Sequence, residues 1–250
     1  MVASYLGRGL VAGLLAGLLA GLFAFFVGEP FLDRAIALEE KAEAAHTGVA
    51  HAHMTTSHQH ESGMVQLSRK VQKVGLFFAT GLSGSFLGGL FGLAFAFFRG
   101  RLRATSDWAR SLSLAAALFA GVALLPFLKY PANPPGVGSP STIGSRTTDY
   151  FAMVALSLLV VVLAWYAANS LRQRGVSPPI RQVAVGVGFV VLVGLLFVGL
   201  PAPADPGEFP AGLLWNYRLV SLGTLALLWT GLAVFFGALC ERANRKDPSE

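Results

Sequence analysis

Cysteine is almost missing from this chain: Cys240 stands alone, which excludes an internal disulfide and a cysteine-built metal cluster within one molecule. Charged residues are scarce too, at 13% against 54% hydrophobic, and a mean hydropathy of +0.61 lies outside the range of ordinary soluble domains. Nucleotide-binding loops, His-Glu-x-x-His, dinucleotide fingerprints and nucleophile–base pairings are all lacking. Neither an ATP-driven pump nor an enzyme is therefore encoded by a motif of this chain, and no organic cofactor is implied. The alternating pattern of a membrane β-barrel is also absent.

What the chain does contain is a series of apolar segments long enough to cross a hydrocarbon core of roughly 30 Å. We read residues 1–250 as a single all-α membrane domain, a polytopic bundle of six transmembrane helices at about 9–27, 74–98, 111–128, 150–168, 182–200 and 211–239. Helices satisfy every backbone amide within their own segment, which lipid demands. The first segment lacks a small-x-small cleavage pattern after Val27 and reads as a membrane helix rather than a signal peptide. Glu29-Pro30 is expected to end it, Arg99-Gly-Arg101-Leu-Arg103 the second, and the Pro201-Ala-Pro203 turn the fifth. Beyond Pro30, Phe31, Ala35, Leu38 and Ala42 share one face and predict a short amphipathic helix outside the membrane.

Orientation follows from the basic residues. Eleven Lys and Arg lie on the side of the two termini and seven on the other, so the positive-inside rule places both termini in the cytoplasm. The same folding puts nine of the thirteen carboxylates outside, where a negative field concentrates cations. The net charge of +6 thus reflects loops at one membrane face, not a nucleic-acid partner; the partner is the lipid bilayer. Gly9, Gly13, Gly17 and Gly21 recur every fourth residue, as do Gly84, Gly88 and Gly92. Small residues at that spacing let helices approach closely where lipid offers no hydrophobic drive.

Histidine is confined to one stretch. His46, His51, His53, His58 and His60 all fall in segment 46–60 of an external loop spanning 28–73. Neutral imidazole is the usual ligand of first-row metals, and a histidine-rich tract reads by composition as metal-binding. Glu39, Glu43 and His46, at i, i+4 and i+7, add two carboxylates on one helical face. Arg218, two turns inside the last span, calls for a partner within the protein, with Glu208, Glu29 and Asp33 as acidic candidates at the same membrane level. Together these four residues suggest a mouth through which a cation passes. Lys129 and Tyr130 read as interface anchors, and Pro126 as a kink. Cys240 reads as structural.

Four stretches carry a resemblance. Gly28-Glu29-Pro30 with Asp33 and Glu39-Glu40, the run Leu125-Pro-Phe-Leu-Lys-Tyr-Pro-Ala-Asn-Pro-Pro135, Thr142-Ile-Gly144, and Phe209-Pro-Ala211 with Leu213-Leu-Trp215 and Arg218 resemble the CbtA family. That resemblance implies a subunit of a proposed cobalt transporter in the bacterial inner membrane. It also implies a small single-span CbtB-like partner and a role in supplying cobalt for cobalamin synthesis. The expectation is uptake of a divalent transition metal, cobalt foremost, with nickel and zinc as alternatives. The rival is a membrane-anchored metal-sensing or assembly protein without a conduction pathway.

Overall fold

The computed structural model describes residues 2–50 and 69–246, and those residues form helices and loops with no strand among them. Six helices are long and apolar enough to cross a membrane, so the protein is an all-α, multi-pass membrane bundle. Helix α1 (Val2–Phe23) passes through a π segment, Ala24–Gly28, directly into α2 (Glu29–Ala50). Helix α3 spans Arg69–Phe98. Helix α4 (Asp107–Leu118) runs through a second π segment, Phe119–Leu124, into the short α5 (Leu125–Lys129). After a 3₁₀ turn at Pro140–Thr142 come α6 (Ile143–Gln173), α7 (Pro178–Gly199) and α8 (Ala211–Lys246).

Glu29-Pro30 does not end the first helix, contrary to the sequence expectation. Proline has no N–H to donate, and its ring crowds the carbonyl four residues back, here that of Phe26. The wider π turn immediately before it opens the backbone, with the Glu29 N–H bonded to the Ala24 carbonyl. The chain can then continue without a break. Pro126 is accommodated in the same way, behind a π turn closed by the Leu125 N–H on the Ala120 carbonyl. Each proline lies two residues past the end of its π segment. The separate amphipathic helix predicted at Phe31–Ala45 is therefore a continuation of α1, with Ala35 fully buried and Ala42 exposed.

Helix α1 is the hub. Its glycine face meets α3 backbone to backbone: a Cβ on Gly13 would stand 2.8 Å from the Gly88 Cα and would overlap the Gly84 carbonyl oxygen. Gly9 faces Gly88 and Gly92, and Gly17 faces Gly84 and Thr80. The alanine face carries Ala12, Ala16 and Ala20, all buried, and packs on α8, where Gly231 lies against Ala16. Helix α4 lies on the other side of α8, with the Ser111 hydroxyl donating to the Ala233 carbonyl at 2.8 Å. Helix α6 packs against the second π segment, where Ser157 Oγ lies 2.5 Å from the Gly121 carbonyl oxygen and takes up part of the bonding that the irregular turn leaves open. Helix α7 leans chiefly on α6 and buries none of its residues.

One end of the bundle is closed by a charged knot. Asp107, 2% exposed, accepts from Arg99 at 2.9 and 3.0 Å, Arg110 at 2.8 Å and Asn244 at 3.1 Å. A carboxylate this buried needs several donors to offset its lost hydration. The Asp107 hydrogen bonds in turn hold the Arg99 guanidinium above its ordinary pKa. Under the knot, Phe236 packs edge-on to Phe91 and Phe95 at 5.1 and 4.9 Å. Cys240 is fully buried beside this cluster.

Candidate functional site

The opposite end holds a cleft of about 740 Å³. Its walls are the α1–α2 junction (Ala24, Gly28, Glu29), one face of α8 (Tyr217, Ser221, Thr224), the Pro131–Asn133 exit of α5 and the start of α6 (Thr147, Asp149). The two proline-linked irregularities flank it, since the first π segment contributes lining residues and Phe127 and Tyr130 follow the second. At about 30 Å³ per water, the cleft has room for on the order of twenty waters. It suits a hydrated ion better than a tightly coordinated bare one.

The lining is largely apolar and carries two carboxylates and one guanidinium, that of Arg146, which donates to the Ser139 and Thr142 carbonyls at 3.2 and 3.4 Å. Glu29 is only 8% exposed and still reaches the cleft wall, with Asp149 on the α6 side. The Ser221 and Thr224 hydroxyls donate to the carbonyls of Tyr217 and Val220 at 2.8 and 2.9 Å. Their hydrogens are thereby committed along the helix, and they present oxygen lone pairs to the space. Near the mouth, Lys73 of α3 lies 3.4 Å from Glu29 and 2.9 Å from Asp33. Tyr130 donates from its hydroxyl to the Pro201 carbonyl at 2.9 Å. Burial, with Asp149 nearby, lifts that phenol above its ordinary pKa.

The sequence candidates separate on this geometry. Glu29 lines the cleft and Asp33 stands one turn further along α2, held by the same lysine. Glu39 lies against Gly136, whose φ of +81° lets the loop after Pro134 turn back onto α2. Glu208 is exposed on the Pro206–Phe209 turn and does not line the cleft. Arg218 donates from Nη2 to Asn133 Oδ1 at 2.8 Å, and its buried Nε has no partner among the described residues. Its described partner is thus a neutral amide, not one of the acids expected of it. The backbone of α2 is helical through Glu43 and His46, but their side chains, and His51, His53, His58 and His60 entirely, lie outside the described residues. Among the described residues no three metal-ligating side chains converge.

Lys129 and Tyr130, expected as interface anchors, bond to the end of α7 and to the turn beyond it. Lys129 Nζ donates to the Phe197 carbonyl at 2.8 Å, one of the last-turn acceptors that a helix leaves open. Sequence reasoning missed Lys73, Asp149, Ser221 and Thr224 as site residues. For two of them a signal was present: Tyr217, Ser221 and Thr224 fall at i, i+4 and i+7 on one face of an otherwise apolar span. Lys73 and Asp149 had no such periodicity to mark them.

No curated protein and no solved structure gives a significant match to this chain. The sequence model of one family, described as "Probable cobalt transporter subunit (CbtA)", matches residues 2–241. That match runs from the first turn of α1 nearly to the end of α8, through every wall of the cleft, and the chain accordingly belongs to the CbtA family.

Proposed function

We propose that the cleft is the outer mouth of an uptake route for a divalent transition metal, cobalt foremost, with nickel and zinc as competing cargo. The observation that carries this reading is the set of oxygens around the cleft, where Glu29 and Asp149 set two carboxylates against the single lining cation Arg146 and Ser221 and Thr224 are turned acceptor-side inward. His46 belongs to the end of α2 and His51, His53, His58 and His60 to the stretch joining α2 to α3, and both helices bear on the mouth through Glu29, Asp33 and Lys73. They collect the ion and pass it to Glu29 and Asp33, while Glu39 and Glu43 steer it along α2. Glu208 adds negative charge at the rim, and Arg218 holds the Asn133 wall in place. The protein sits in the bacterial inner membrane with both termini cytoplasmic. It works with a small single-span CbtB-like subunit, drawing on an ion gradient or another subunit for energy and supplying cobalt for cobalamin synthesis.

A second reading, a metal-sensing or assembly protein without a conduction pathway, is favoured by the α1–α3 contact, whose backbones meet too closely to admit an ion. Radiolabelled cobalt and nickel uptake into proteoliposomes, with and without the single-span partner, separates the two. Cobalt accumulation that falls in Glu29→Gln and, at limiting metal, in the variant lacking all five histidines supports uptake. No accumulation under either condition leaves the anchored sensor.

A further inference from the structure

At the charged end of the bundle, roughly 30 Å from the cleft by the rise of α1, lies a recess of about 370 Å³ walled by Val2, Tyr5, Ala96, Arg99, Gly100 and Arg110. Three features there favour an anion, two of them on the Arg110 guanidinium. The first turn of α1 lines the recess and carries no acidic residue, so its open N–H groups and the positive end of the helix dipole have no carboxylate of their own turn to meet. Arg99 and Arg110 share the single carboxylate of Asp107, leaving one of their two charges without a counter-ion in the wall. Arg110 uses Nη1 on Asp107 while its buried Nε has no partner among the described residues, and a buried N–H in that state calls for an acceptor.

We propose that this recess is a phosphate-anion site, filled from the bilayer by the headgroup of an anionic phospholipid. The depth fits: the recess opens where α3 ends at Phe98 and α4 begins at Asp107, which is where a span leaves hydrocarbon for headgroups. A guanidinium fork matches a phosphate in both charge and geometry. The Tyr5 ring lies beneath Arg8 and Arg99, at 5.4 and 5.8 Å from their guanidinium carbons, and keeps the cationic wall in place.

The test uses the full chain in detergent, delipidated, with melting followed as lipid is added and retained lipid read by native mass spectrometry. Phosphatidylglycerol is expected to raise Tm by several degrees and to be retained, with phosphatidylcholine doing neither. Arg110→Gln should abolish both effects. Because that change also disturbs Asp107, Gly100→Leu provides a second arm: a Cβ at Gly100 meets nothing beyond its chain neighbours, so this wall has room for a larger side chain that narrows the recess, and it too should abolish the effects. Arg174→Gln, an exposed arginine elsewhere, should change nothing. Inorganic phosphate that reproduces the shift in wild type but not in Arg110→Gln supports the anion site and names a soluble source. Equal protection by phosphatidylcholine, or full protection in Arg110→Gln and Gly100→Leu, overturns the proposal.

Discussion

The Lys73 ammonium stands 2.9 Å from Asp33 Oδ2, and the same nitrogen lies 3.4 Å from Glu29 Oε2, so α3 brings a tethered cation between two carboxylates one turn apart on α2. Any metal that reaches those acids must compete with it. Lys73→Gln is expected to lower the apparent KM for cobalt and Glu29→Gln to raise it, both read from initial uptake rates. In thermal melts of the two single variants and the double variant, the shifts in Tm should be non-additive, the double variant losing less than the two singles summed. Strict additivity would mean that the contact carries no energy.

The glycines divide by surroundings rather than by identity. Gly13→Ala sets a methyl against the Gly84 carbonyl, so the two helices must part, at a cost of about 1–3 kcal/mol as for other overpacked sites. At Gly75 a Cβ meets nothing within 4 Å, and alanine there is expected to stabilise α3 by up to about 1 kcal/mol through helix propensity. Melting temperatures of the two variants in one detergent decide the matter: a Gly13→Ala protein as stable as Gly75→Ala would refute this account of the α1–α3 interface.

Lys129→Met removes the donor from the Phe197 carbonyl while retaining the apolar stem. A hydrogen bond to a charged group contributes about 1.5–3 kcal/mol, and α7 has little other hold on the bundle. Faster amide exchange confined to the last turn of α7, with α1 and α3 unchanged, is the expected signature. Uniform protection along α7 would show the cap to be dispensable.

Metal collection by the five histidines carries its own pH dependence. An ordinary imidazole titrates near pH 6.5, and only its neutral form ligates. Uptake at limiting cobalt should therefore fall on acidification from about pH 7.5 to about pH 5.5 as these side chains take up protons. The variant with all five replaced by alanine should start lower and lose most of that slope. An unchanged slope would assign the pH dependence to other groups.

The bundle could be read from the sequence because membrane helices announce themselves by length and apolar content, and all six appear in the structure. What could not be read depended on neighbours distant in sequence. Glu29-Pro30 carried the local signature of a break, yet the outcome was decided by the π turn before it. Arg218 needed a buried partner, and Asn133, 85 residues away, supplies it across the bundle end. Lys73 carried no local signal, and only the meeting of α3 with α2 sets it beside Glu29 and Asp33. Local pattern reports what a segment can do alone, and the cleft is made by segments meeting.

The π segment at Ala24–Gly28 has a consequence for how this protein tolerates change in length. A π turn takes up one residue more than an α turn. It therefore resets the angular phase of everything beyond it by about 100°, the step of one residue at 3.6 per turn. The direction Glu29 faces is thus set by the pitch of that turn together with the number of residues since Gly21. Removing a single residue there would return the turn to the α pitch and keep Glu29 on its present face, whereas the same deletion within the regular turns of α1 would swing the carboxylate by about 100° relative to the residues before it.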